Sequence, residues 1–73
     1  MPSITWKQLE RILLRDGWLV VRKGKHKFHE KTLSDGRVLR TMLSHSSGEV
    51  PTIVLRKICK QIEKTIEELN QLR

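Results

Sequence analysis

Apolar residues first fall at Trp6, Leu9, Ile12 and Leu13, a helical spacing, with Lys7, Glu10, Arg11 and Arg15 on the other side. Ser3 or Thr5 opens this helix. Thr5-Trp6-Lys7-Gln8 fits a capping box, in which each end satisfies a backbone N–H of the other. Gly17 ends it, because glycine accepts the left-handed conformation of a C-terminal cap. The expected span is residues 5–16. The period then changes. Trp18, Leu19, Val20 and Val21 are consecutive apolar residues and predict a largely buried strand over 18–23. Lys23-Gly24-Lys25 makes a turn. The segment from His26 to Thr32 reads as a second strand, with Lys25, Lys27, His29 and Lys31 on one face and His26, Phe28 and Glu30 on the other. Asp35-Gly36 is a hairpin signal, and Arg37 to Ser44 forms a third strand with Val38, Leu39, Met42 and Leu43 as its apolar residues. After the polar loop from His45 to Glu49, Pro51 suits the first turn of a helix. Val54, Leu55, Ile58, Cys59, Ile62, Ile66 and Leu69 then predict one amphipathic helix over 51–71.

Helix, three antiparallel strands, helix is an α+β pattern. Both helices can cover one face of the sheet, giving an α-β-β-β-α two-layer sandwich whose other face stays open. Seventy-three residues make a single domain, 1–73. A chain this short buries only about 60% of its unfolded surface, so any site lies on the surface of one small core. The single Cys59 excludes an internal disulfide, and its place in the helical pattern makes it a small buried residue. No apolar run approaches the roughly 18–20 residues of a membrane span, and no signal peptide is visible. A reducing, cytoplasmic setting with no membrane partner is the expectation.

Charge adds a direction. The formal net charge is +7. Residues 1–45 carry ten basic and four acidic side chains, and residues 46–73 carry five and four, so the surplus lies in the first part of the chain. A one-sided basic surface suits a polyanion, either nucleic acid or an acidic protein. The surplus peaks between Arg22 and Lys31, where five cations surround His26 and His29 with Glu30 as the one acid. Lysines on a strand edge also serve simply to block edge-to-edge pairing, which would explain Lys25, Lys27 and Lys31 without a ligand.

The candidate chemistry sits at His26. A lone histidine in a hairpin is often just a polar residue. Beside cations that hold a phosphodiester, a neutral imidazole can take the proton of a ribose 2′-hydroxyl and then return it to the leaving 5′-oxygen. That chemistry needs no metal and no cofactor. His26, His29, His45 and Cys59 are zinc-compatible types, but their spacing does not bring them together. The glycines lie singly at turns, so no phosphate-cradling loop is present. Ser46 and Ser47 have no acid placed to complete a hydrolase triad with His45.

The order of elements and several short motifs resemble the HicA toxin family of bacterial and archaeal toxin–antitoxin modules. The matching residues are Gly17-Trp18 at the end of the first helix, Gly24-Lys25-His26-Lys27-Phe28 at the turn, Leu43-Ser44-His45-Ser46 after the third strand, and Thr52 to Ile58 at the start of the last helix. The similarity covers roughly residues 3–62. It implies a double-stranded-RNA-binding-domain-like fold, endoribonuclease activity on mRNA, and neutralisation by a HicB antitoxin. The family's catalytic histidine maps to His26. Lys25 stands where the family has serine, and Lys27 where it has a second histidine, so the catalytic position is kept among more basic neighbours. The expected site is therefore His26 as general acid and base, with Arg22, Lys23, Gly24, Lys25, Lys27 and Lys31 meeting RNA. Of these, Lys23, Lys25 and Lys27 are expected to hold the scissile phosphate, and Arg22 and Lys31, with Arg37 and Arg40, are weaker candidates for backbone contacts. Two readings stand beside the enzyme: an RNA-binding module that does not cut, and an interaction protein whose basic surface meets an acidic partner.

Overall fold

A computed structural model of the chain describes residues 3–24, 26–44 and 47–72. In chain order the elements are α1 (Trp6–Arg15), β1 (Leu19–Lys23), β2 (Lys27–Thr32), β3 (Val38–Leu43), α2 (Thr52–Ile62) and α3 (Ile66–Gln71). The strands form one antiparallel sheet in the order β1-β2-β3. The architecture is the expected α+β sandwich, with one helix more than expected.

Local chemistry sets the boundaries. The Thr5 hydroxyl accepts from the Gln8 N–H at 3.1 Å, and the Gln8 side chain accepts from the Thr5 N–H at 3.0 Å, so the capping box forms as predicted. Gly17 takes φ +92° after α1, and the Trp18 N–H closes the turn onto the Leu13 carbonyl. The segments before the two long helices are tied together. The Val50 N–H donates to the Ile4 carbonyl at 2.8 Å, and the Trp6 N–H to that of Gly48. Pro51 caps α2 from just outside it, rather than occupying its first turn.

The helix expected over 51–71 is two helices. Glu63 adopts the left-handed conformation, φ 57° and ψ 41°, and the Lys64 N–H returns to the Cys59 carbonyl. Thr65 then starts α3 with a second capping box, accepting from the Glu68 N–H at 3.1 Å while the Glu68 carboxylate accepts from the Thr65 N–H at 3.0 Å. A capping box satisfies N–H groups that a continuous helix would bond internally, so Thr65 and Glu68 compete with continuation and win.

Leu9, Ile12 and Leu13 of α1 pack with Leu43 of β3, with Leu55, Ile58, Cys59 and Ile62 of α2, and with Leu69 of α3. Ile4, Trp18 and Val50 complete this core. Among the described residues no apolar side chain of β1 or β2 is fully buried. The expectation of a largely buried first strand is therefore corrected: Leu19 is 68% exposed and Val21 is also exposed. Helices cover one face of the sheet only, so alternate residues of β1 emerge into solvent. A bulge adds to this. Val20 pairs with His29 and Arg22 with Phe28, leaving Val21 as the extra residue.

Candidate active site

The central strand, β2, is polar where a sandwich is usually apolar. Lys27, His29 and Lys31 alternate along it on the side facing α1. Glu10 receives two of them: its Oε1 lies 3.0 Å from Lys27 Nζ, and its Oε2 lies 3.2 Å from His29 Nε2. Asp16, at the other end of the helix, holds Lys31 at 3.1 Å and Lys64 at 3.6 Å. Six residues along a helix rise about 9 Å, whereas four along a strand rise about 13 Å. The long lysine chains span that mismatch.

His29 is fully buried, at 0% exposure. Its Nε2 lies against the Glu10 carboxylate, and neither ring nitrogen makes a well-formed hydrogen bond among the described residues. Burial pushes the Glu10 pKa up, but the hydrogen bond and charge of Lys27, with the charge of His29, outweigh it, and the net displacement is downward.

Phe28 and Glu30 alternate to the opposite side. Arg22 lies over the Phe28 ring, 5.6 Å from its centroid, and Arg40 pairs with Glu30 at 2.8 Å across the strands. An open groove of about 470 Å³ lies on this uncovered face, lined in part by Val21, Arg22, Phe28, Arg40 and Met42.

His26 lies at the end of the β1–β2 hairpin. The expectation put it inside the second strand, but β2 begins at Lys27, and His26 belongs to the turn. The Gly24 N–H donates to the His26 carbonyl at 3.2 Å, and Lys23 pairs with Lys27 directly behind the turn. His26 is half-buried, and its carbonyl is held by the Gly24 N–H just before β2 begins. Gly24 in the turn and Arg22 near the end of β1 are exposed.

The expected contact residues thus divide. Arg22 and Gly24 flank His26 at the turn. Lys25 lies outside the described residues, as do the side chain of Lys23 and the residues His45 and Ser46 of the third motif. Lys27 and Lys31 are half-buried and turned toward α1, each against a carboxylate. Arg37 is held by Asp35 at 2.9 Å and by both Glu63 oxygens, at 3.0 and 3.2 Å. Arg40 is held by Glu30. The sequence reading missed Glu10 and Asp16, which it placed in solvent or left unassigned. The signal was available: three ionisable residues on one face of a central strand need opposite charges from whatever packs against them.

The model of the family described as "HicA toxin of bacterial toxin-antitoxin" matches residues 6–63. No curated protein and no solved structure matches. The match runs from the first residue of α1 to the residue that terminates α2, leaving α3 beyond it. It includes the hairpin that carries His26, and the α+β order of elements is that of the double-stranded-RNA-binding-domain-like fold of these toxins. On this match and this architecture, the chain belongs to the HicA toxin family and is the toxin component of a toxin–antitoxin system.

Proposed function

We propose that this toxin is a metal-independent endoribonuclease that cleaves mRNA in the cytoplasm, with His26 as general base and then general acid, and that a HicB-like antitoxin neutralises it. The observation that carries this reading is the position of His26. It is a half-buried residue at a hairpin tip, backbone-anchored by Gly24, in a turn that follows the exposed Arg22 of β1. The neutral ring takes the proton of a ribose 2′-hydroxyl as that oxygen attacks the adjacent phosphorus. The bond from phosphorus to the 5′-oxygen breaks, and the ring returns its proton to that oxygen. A cyclic phosphate and a free 5′-hydroxyl result.

Arg22, Lys23 and Lys25, with the backbone of Gly24, are the groups this reading assigns to the phosphates. Lys27 and Lys31 are set aside as direct contacts, because in the free chain their ammonium groups are already neutralised. No helix among the described residues is long and apolar enough to cross a membrane.

The test is incubation of the purified chain with an mRNA transcript in EDTA. Cleavage is expected for the wild type and absent in His26→Ala, with the fold unchanged by circular dichroism, since little core packing is lost. A His26→Ala variant that cuts at the wild-type rate defeats the assignment. A wild type that binds the transcript without cutting it makes the chain an RNA-binding module.

A further inference from the structure

Glu10 has two relations that no other carboxylate in the described chain combines. It bridges the first and third residues of β2, Lys27 and His29, from α1, and the first of these follows His26 directly. We infer that Glu10 is a positioning residue for His26, fixing the start of β2 so that the adjacent imidazole keeps one orientation. This rests on His26 being the catalytic base.

Pairing with Lys23 and Leu43 holds the start of β2 within the sheet, and what remains to be set is its seating against α1. No apolar side chain of β2 is buried in the core to hold that strand onto α1. Its attachment on that side consists of charge contacts, at Glu10 near the turn and at Asp16 near the far end. The two ion pairs are about equally exposed, and what sets the Glu10 contact apart is that its second oxygen lies against the fully buried His29. General acid–base catalysis asks for a heavy-atom separation of about 2.6–3.2 Å from the reacting oxygen. A misplacement of about 1 Å can cost about a hundredfold in rate. A group that sets the strand start therefore acts on the turnover of a bound RNA and leaves the phosphate contacts alone. On this account the charge of Lys27 is spent on Glu10, and Lys27 is part of the tether.

Asp16 supplies the internal control. It makes the same kind of ion pair with Lys31, at the end of β2 remote from His26. A merely structural role predicts that neutralising either carboxylate acts alike. Positioning predicts that only Glu10 alters turnover.

The experiment compares Glu10→Gln with Asp16→Asn. The amide keeps an acceptor oxygen but carries no charge, so its hold on Lys27 and His29 weakens. With an mRNA transcript as substrate, Glu10→Gln is expected to lower kcat about tenfold or more with KM unchanged. Asp16→Asn should keep kcat within about twofold. Lys27→Met should follow Glu10→Gln in kcat while keeping the wild-type salt dependence of RNA binding, whereas a lost phosphate contact would flatten it by about 0.7 in log–log slope. If Glu10→Gln fails to fold, the Lys27→Met comparison carries the test. Equal losses of kcat in Glu10→Gln and Asp16→Asn, or full kcat in both Glu10→Gln and Lys27→Met, overturn the inference. A flattened salt slope for Lys27→Met makes Lys27 a phosphate contact and overturns its role in the tether. The His26 imidazole resonances in an NMR spectrum separate this from failure of the nuclease reading. They should shift in Glu10→Gln and not in Asp16→Asn even if the wild type never cuts, and unchanged resonances in both variants overturn the positioning role.

Discussion

Replacing Leu69 with alanine tests whether α3 is part of the folding unit. The residue is 1% exposed and belongs to the same core as Ile58, Cys59 and Ile62 of α2. Truncating a buried leucine costs about 2–5 kcal/mol, according to how far the cavity collapses. A domain of this size has roughly 4–11 kcal/mol in all, at about 0.05–0.15 kcal/mol per residue. We take about 3 kcal/mol for Leu69→Ala, because it lies on a short helix that can settle inward. At about 4–8 °C per kcal/mol, Tm should fall by about 12–24 °C. Leu72, three residues on, is 40% exposed at the end of the same helix. Leu72→Ala should stay within about 0.5 kcal/mol, or about 4 °C. Thermal unfolding followed by circular dichroism gives both values. Equal shifts for the two variants, or no shift for Leu69→Ala, would show that α3 is a surface appendage and that the core ends at Ile62.

Three further outcomes follow from the charges and the core. The Glu10 pKa is lowered in the folded chain, so its pairing stabilises the fold above the unfolded carboxyl pKa and is lost as pH falls through the folded value. Denaturant midpoints measured from pH 6 to pH 3 should fall less steeply in Glu10→Gln than in the wild type, and equal slopes would refute this. Burial, and then the nearby Glu68 charge, raise the pKa of the Cys59 thiol, so it should react with a thiol reagent at pH 8 far more slowly than the same cysteine in denaturant. Ile62→Asp places a carboxylate in the core at a cost of several kcal/mol and should unfold the domain, and a cooperative melt near the wild-type Tm would show that the buried face of α2 is misplaced.

The parts legible in the sequence were those written in local chemistry. Thr5 with Gln8, Gly17, and Asp35-Gly36 each specify a backbone geometry within four residues, and each boundary falls where those residues place it. The α2–α3 break escaped periodicity for a physical reason. Ile58, Ile62, Ile66 and Leu69 stay in helical phase across Glu63, so the buried stripe is continuous while the backbone is not. Only the Thr65-to-Glu68 pair marked the restart. At the site, alternation sorted Lys27, His29 and Lys31 from Phe28 and Glu30, but alternation does not say which set faces inward. Burial of the only phenylalanine would have been the usual choice. The carboxylates of Glu10 on α1 and of Asp16 at its C-terminal cap reverse it, and they lie seventeen and fifteen residues from the lysines they hold.

That reversal changes what specifies the pairing of the central strand. In most half-covered sheets a one-residue slip is penalised because it turns apolar side chains into water. Here a slip of β2 would bring Phe28 and Glu30 round to α1, setting the Glu30 carboxylate against Glu10 and Asp16. Register is thus encoded by charge sign, with like-charge repulsion as the error signal. Hydrophobic register is nearly indifferent to acidity, but this one weakens as carboxylates take up protons. Refolding at a pH where Glu10 is protonated in the unfolded chain but still charged in the folded one should therefore yield mispaired sheets even where the native state, once formed, persists.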